Sequence, residues 1–335
     1  MKAVAFTHAR PVVADDALID IDVTEPSPRR RDVLVAVRAV SVNPVDTKVR
    51  RQNEPLGEPR ILGFDAAGVV RAVGTEVTQF GIGDEVYYAG TIDRPGSNAE
   101  FQCVDERIVA RKPHRLNFAE AAALPLTTLT AWEMLFDRFR LVRDRTHRDT
   151  ILIVGGAGGV GSMAIQLVAR LTGLTVVATA SRPETRDWCK ALGAHHVIDH
   201  THDMAAQLGS LAVDAPRYIF CTNHIEQHWR ALNRMLAPEG EIGIIEPSSP
   251  LDVGELFQRS GSLHTEYMFS PSLHQSARMI EQHRILDTVG RLIDQGVLHS
   301  TMTRHFGLIN AENLRRAHAE IEAGTMHGKI VLEGF

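Results

Sequence analysis

Residues Gly156-Ala157-Gly158-Gly159-Val160-Gly161 follow, one residue on, the apolar run Ile151-Leu152-Ile153-Val154 and precede a stretch of helical periodicity over 162–170. A Gly-x-Gly-x-x-Gly turn between a buried strand and a helix constrains this chain more than any other feature. Glycines let the backbone turn tightly and approach a pyrophosphate, and the helix N-terminus offers unpaired N–H groups with a positive partial charge. A second apolar run, 175–180, follows at the roughly 30-residue spacing of a βαβ unit. We therefore read Gly156, Ala157, Gly158, Gly159, Val160 and Gly161 as a dinucleotide phosphate loop. The competing reading is a tight strand–helix turn with no ligand.

The end of that second run bears on which dinucleotide. A site for NAD expects Asp or Glu about 20 residues on, bonded to the ribose 2′-hydroxyl. Here the run ends in Ser181-Arg182-Pro183. A carboxylate would repel a 2′-phosphate, whereas a hydroxyl and a guanidinium fork would bind one. The expected cofactor is NADPH, with Ser181 and Arg182 as ligands of the 2′-phosphate. Ser181 also reads as the N-cap of a helix beginning at Pro183, with Glu184 in its first turn.

From about residue 126 apolar runs at 151–154, 175–180, 196–198, 218–221 and 242–245 alternate with helical stretches at 161–171, 184–192 and 227–236. Such alternation means a parallel, doubly wound sheet. Gly173, Gly193 and Gly240 stand where C-cap glycines belong. The first ~125 residues instead carry strand signals at 2–6, 33–40, 68–74, 83–88, 99–104 and 108–110, joined by Pro- and Gly-containing connections that include 55–59. That is the texture of a small irregular β-barrel. After about residue 270 come helical patterns at 273–295 and 311–323 and a last strand at 329–332. The simplest closure returns this tail to the N-terminal domain. The expected organisation is a discontinuous domain of 1–125 and 273–335 around a cofactor domain of 126–272.

Composition narrows the partners. With 36 basic against 41 acidic residues the net charge is −5 and no basic block stands out, which argues against nucleic acid. Three widely spaced cysteines fit a reducing cytoplasm, and no apolar run approaches the ~20 residues of a membrane span. His195, His196, His200 and His202 crowd around Asp199, but strand alternation sends neighbours to opposite faces, so no metal site is read there. His200, at the end of a sheet strand, is instead placed beside the adenosine end of the cofactor.

Five segments in order resemble the medium-chain dehydrogenase/reductase superfamily. Ser41-Val42-Asn43-Pro44-Val45-Asp46 resembles its first active-site loop, and Gly63-Phe64-Asp65-Ala66-Ala67-Gly68 its Gly-His-Glu-x-x-Gly segment. Ala122-Ala123-Leu124-Pro125 through Trp132 resembles the hinge into the cofactor domain, 157–161 with Gln166 the quinone-oxidoreductase form of the phosphate loop, and His327-Gly328-Lys329-Ile330-Val331-Leu332 the closing strand. The resemblance implies a GroES-like barrel beside a Rossmann domain and a homodimer formed through edge strands. It is nearest the zinc-type alcohol dehydrogenase-like proteins, beside the quinone oxidoreductases.

Zinc members of the superfamily hold catalytic metal with Cys in the first loop, His in the second segment and a later Cys. This chain has Asn43 and Phe64 at the first two positions, and Cys103 is the only cysteine near the structural-zinc lobe. An amide is a poor zinc ligand and a phenyl ring is none, so no metal is expected. Without a Lewis acid, activated acceptors are the natural substrates: quinones and α,β-unsaturated carbonyls, which spread developing charge onto oxygen. The expected activity is zinc-independent, NADPH-dependent hydride transfer to such acceptors, in a cleft lined by 48–60 and 250–270. The resemblance implies Asn43 at the active-site position, its amide donating to the acceptor oxygen or fixing the nicotinamide ribose, and Thr130 beside the nicotinamide. Asp46 is read as orienting the loop and Lys48 as a proton or hydrogen-bond donor, the alternatives being a solvent-facing lysine and protonation by water. Cys221 is expected in the cofactor crevice, Phe269 and Lys329 on the nicotinamide side, and Tyr267 is a further candidate acid. A zinc-dependent alcohol dehydrogenase is the first alternative; a non-catalytic NADPH-binding sensor or structural protein is the second.

Overall fold

A computed structural model describes residues 1–52, 58–247 and 249–335. They form two compact units: Met1–Leu126 with Phe269–Phe335, and Thr127–Met268.

The second unit is built on six strands in the spatial order His196–Ile198, Thr175–Thr179, Thr150–Val154, Tyr218–Cys221, Glu241–Ile244 and Ser262–Thr265, all parallel. The chain starts in the middle, runs outward to one side, then returns and runs outward to the other. This is the Rossmann order, and its switch point lies beside Thr150–Val154, where ligands bind in doubly wound sheets. That strand is buried at every residue, which is why it reads as an unbroken apolar run. One sheet face is closed by Leu152, Val177, Ile219 and Ile242 packed with Trp229 and Leu232 of the helix Ile225–Met235.

Differences from the sequence reading have local causes. The strand Ser262–Thr265 and the helix Met204–Gly209 were not anticipated. Neither shows a clean period, because the first is a partly exposed sheet edge and the second is barely more than one turn. Gly193 is a left-handed C-cap at φ 115°. Gly173 is not: the helix Gly159–Leu171 is capped by extended Thr172, and a Cβ on Gly173 would lie 2.5 Å from the His147 carbonyl oxygen. Gly240 likewise stands apart from its helix, whose C-cap is extended Leu236.

In the first unit the sheet order is Met302–His305, Lys329–Glu333, Asp32–Val42, Asp65–Val73, Glu85–Ala89 and Val109–Arg111, with Phe101–Asp105 also paired to Asp32–Val42. The C-terminal strand therefore lies beside Asp32–Val42, with Ile330 opposite Val42. Register shifts within Asp32–Val42 curl the sheet. A second sheet joins Ile19–Asp22, Lys2–Phe6 and Arg60–Ile61. The single helix expected over 273–295 is two, Ser270–Leu273 and Met279–Asp294, with Gln275 left-handed at φ 46° between them. Of the Pro-containing connection at 55–59, residues 55–57 lie outside the described residues.

The helix Pro44–Gln52 is anchored by Arg50, which is fully buried. Its guanidinium binds the Arg10 carbonyl and Glu322 and donates to His318 Nδ1 at 3.3 Å. Burial and that guanidinium push His318 down to about 3, so it stays neutral. This packing fixes the helix that presents Asp46 and Lys48.

Candidate functional site

The glycine turn is pinned by the neighbouring strand. Gly155 N–H donates to Thr179 Oγ1 at 3.0 Å and Gly156 N–H to the Thr179 carbonyl at 3.1 Å. Gly158 is the extended N-cap of the helix Gly159–Leu171, which thus starts inside the motif. Ser162 N–H makes the first i→i−4 bond, to the Gly158 carbonyl at 2.8 Å. The N–H groups of Gly159, Val160 and Gly161 precede that bond and have no helical acceptor. Gly158 is exposed and Gly159 and Val160 are half-buried, so this end of the helix is open to an anion. Ala157 is tucked in, its carbonyl accepting from Ser162 Oγ at 3.2 Å, and Trp188 Nε1 donates to that hydroxyl at 2.8 Å. The close approach is at Gly161, where a Cβ would lie 2.3 Å from the Gly155 carbonyl oxygen. The loop fits a dinucleotide pyrophosphate.

Ser181 and Arg182 follow the strand Thr175–Thr179, with no carboxylate at the strand exit itself. Ser181 does not cap the next helix: its N-cap is Arg182, whose carbonyl accepts from Thr185 Oγ1 at 2.8 Å. Arg182 Nε donates to Glu184 at 2.8 Å. That pair is exposed, at 38% and 57%, and such surface pairs contribute about 0–1 kcal/mol, little hindrance to a doubly charged phosphate. Ala180 N–H bonds the Ile198 carbonyl at 3.0 Å, so Ser181 and His200 leave the sheet on adjacent strands. His200 stacks edge-on with His228 at 6.1 Å. The other histidines go their own ways: His195 accepts from Val176 N–H and His202 pairs with Asp199.

Cys221 departs from expectation. Its side chain is part of the apolar core, its thiol donates to the Asn223 carbonyl at 3.1 Å, and burial pushes it up to about 12. Thr130 is buried in the helix Pro125–Trp132, and Tyr267 is exposed.

In the first unit three expected site residues meet in one buried cluster. Lys329 Nζ donates to Asp65 Oδ2 and to the Val42 carbonyl, both at 3.1 Å, and to Asn43 Oδ1. Asn43 Nδ2 donates to Asp65 Oδ2 at 2.8 Å. Asp46 accepts from Asn43 N–H at 2.8 Å and Gly63 N–H at 3.1 Å. Asp65 Oδ1 accepts from Leu126 N–H at 2.7 Å. Asn43, Asp46, Asp65 and Lys329 are all buried. Three acceptors match the three donors of the ammonium. In this structure the Asn43 and Lys329 side chains bond one another and Asp65, and Asp46 ties the backbone at Asn43 to that at Gly63. Lys48, on the same helix as Asp46, is half-buried. Phe269 packs on Phe64, ring centroids 4.9 Å apart. Asp65, the hub of the cluster, was absent from the expected site residues; the available signal was a lone carboxylate inside the apolar run 64–67.

Burial pushes the Asp46 carboxyl up to about 7, opposed by the Asn43 N–H and Lys329 and assisted by Asp65. An acid with a raised folded-state pKa binds a proton that the unfolded chain has already released. Its contribution to stability is therefore lost as pH rises from about 4 to about 7. The stability margin of the wild type over Asp46→Asn, measured by denaturant unfolding, should shrink across that window; a constant margin would contradict it.

A zinc ion does not fit this donor set. At the two positions where zinc members carry Cys and His stand an amide already shared between an ammonium and a carboxylate, and a phenyl ring packed on another. Among the described residues no group of three His, Cys, Asp or Glu side chains converges on a point.

Residues 29–114 match the alcohol dehydrogenase GroES-like domain and residues 192–332 the zinc-binding dehydrogenase family. A zinc-type alcohol dehydrogenase-like protein of Staphylococcus aureus is 41% identical over 92% of this chain and 92% of its own. The chain belongs to the medium-chain dehydrogenase/reductase superfamily. It is an oxidoreductase of the zinc-type alcohol dehydrogenase-like group within it. A crystal structure from Rhizobium etli, described provisionally as a zinc-dependent alcohol dehydrogenase, is 50% identical with a TM-score of 0.96, over 100% of this chain and 98% of that one. A quinone oxidoreductase of Pseudomonas aeruginosa is 32% identical over 93% of this chain and 94% of its own. Among the described residues no helix is long and apolar enough to cross a membrane.

Proposed function

We propose that this dehydrogenase/reductase is a zinc-independent, NADPH-dependent reductase of quinones or α,β-unsaturated carbonyls. The observation that carries the reading is Asn43: the first-loop position of the zinc enzymes holds an amide bonded to Lys329 and Asp65. Similarity to a quinone oxidoreductase over most of the chain supports the acceptor class. When bound, the reduced nicotinamide supplies the hydride. A conjugated acceptor carries the resulting charge on its own oxygen, so the protein's task reduces to binding, orientation and water exclusion. The helix N-terminus at Gly159–Gly161 takes the pyrophosphate, Ser181 and Arg182 the 2′-phosphate, His200 the adenosine side and Thr130 the nicotinamide side. Lys48 is the proposed proton donor. The reading includes a homodimer, for which the edge strand Ser262–Thr265 is available.

NADPH consumption with p-quinones and enones, set beside NADP⁺ reduction with primary alcohols, tests this. Turnover should be confined to the first two classes; alcohol-dependent reduction of NADP⁺ alone would refute it, and tight NADPH binding without any turnover would favour a sensor or structural protein. Arg182→Ala should weaken NADPH roughly 10- to 100-fold, the value of one or two charged hydrogen bonds, and leave NADH unchanged. Equal losses for both cofactors in a fluorescence titration would remove Arg182 from the 2′-phosphate.

A further inference from the structure

We propose that the ammonium of Lys329 is this chain's built-in cation: it sits at the first loop where the family's name implies a metal, neutralises Asp65 and fixes the Asn43 side chain. The inference rests on the zinc-independent reading and adds to it what occupies the position instead. Three oxygens surround Nζ: Asp65 Oδ2 and the Val42 carbonyl at 3.1 Å, and Asn43 Oδ1. They come from two segments, the exit of the strand Asp32–Val42 and the start of Asp65–Val73, and the ammonium comes from a third, the start of Lys329–Glu333. A point charge that draws together distant oxygen donors does structurally what a bound cation does. Lys329 is 3% exposed and the Asp65 side chain is fully buried, so the pair is shielded from water and from salt.

The sequence delivers the lysine to this point by a close turn. Gly328 is left-handed at φ +59°, and a Cβ there would lie 2.5 Å from both the Thr301 carbonyl oxygen and Thr303 Cγ2. Lys329 N–H then bonds the Thr301 carbonyl at 2.9 Å, and the strand carries on beside Asp32–Val42, where Ser41 Oγ donates to the Ile330 carbonyl at 2.8 Å. Asp65 passes the restraint on through its second oxygen to Leu126 N–H.

A metal-free cation site makes a distinctive experiment. Lys329→Ala leaves a cavity lined by the three oxygens, which a primary alkylammonium ion can enter. In thermal unfolding, Lys329→Ala should melt well below the wild type and recover part of the loss in methylammonium or ethylammonium. Sodium chloride at equal ionic strength should not restore it, and zinc should neither bind the wild type nor raise its melting temperature. Equal stability of Lys329→Ala and wild type, failure of the amines to restore stability, or wild type holding one zinc per chain would each overturn the proposal. If Lys329→Ala does not fold, Lys329→Met combined with Asp65→Asn replaces it. The double variant should fold and exceed Asp65→Asn in stability, and a double variant no better than that single one overturns the proposal. Turnover that requires zinc would remove the functional reading; failed amine rescue alongside zinc-free turnover would remove only the role of Lys329.

Discussion

Asp65→Ala should cost about 3–5 kcal/mol, the usual consequence of removing one partner of a buried ion pair. The substitution strands the Lys329 ammonium among neutral oxygens, leaves Asn43 Nδ2 only the long 3.4 Å bond to the Ser41 carbonyl and removes the Asp65 acceptor from the Leu126 N–H. Each of those groups is buried, so the losses compound. With roughly 2–4 °C per kcal/mol for a unit of this size, the midpoint should fall by roughly 6–20 °C. Adding Lys329→Met to Asp65→Ala should return part of the loss, since the uncompensated charge goes with it. A fall of under about 1 kcal/mol, the range of exposed pairs, would mean that the cluster is not the anchor described.

The second large effect separates a ligand site from a bare turn. Gly161→Ala places a Cβ 2.3 Å from the Gly155 carbonyl oxygen and 2.7 Å from Gly156 Cα, and backbone cannot yield there as a side chain would. Overpacking of this kind costs about 1–3 kcal/mol, and the displaced loop should bind cofactor roughly 10- to 100-fold more weakly. Gly158→Ala is the informative partner. Its φ of −68° suits any residue, and its Cβ would meet only the Gly155 oxygen at an ordinary 3.4 Å. Folding makes no demand for glycine at that exposed position; an approaching pyrophosphate does. Gly158→Ala should therefore melt with the wild type yet bind NADPH more weakly. Wild-type affinity in Gly158→Ala, by calorimetry, would remove that position from the phosphate site.

The cofactor unit was legible because its strands are buried on both faces. Runs such as Ile151–Val154 must be apolar throughout, and Gly155 with its φ of +77° and Gly161 with its close backbone contact are glycines that geometry requires. The edge strand Ser262–Thr265 lacked that pressure and went unseen. The first-loop residues were located by resemblance, yet their bonding was not legible. Asn43, Asp65 and Lys329 lie 22 and 264 positions apart in sequence, and no local period announces that a lysine near the C-terminus will take up the amide oxygen of residue 43. The same limit explains Cys221. Alternation places it on one face of its strand, but only the packed helix Ile225–Met235 decides that the face is core.

Steady-state reduction of a quinone or an enone by NADPH, before and after exhaustive chelation and with zinc determined on the same sample, tests the account most directly. Unchanged turnover at negligible zinc content is the predicted result. Activity that disappears with the chelator and returns only on adding zinc would contradict it.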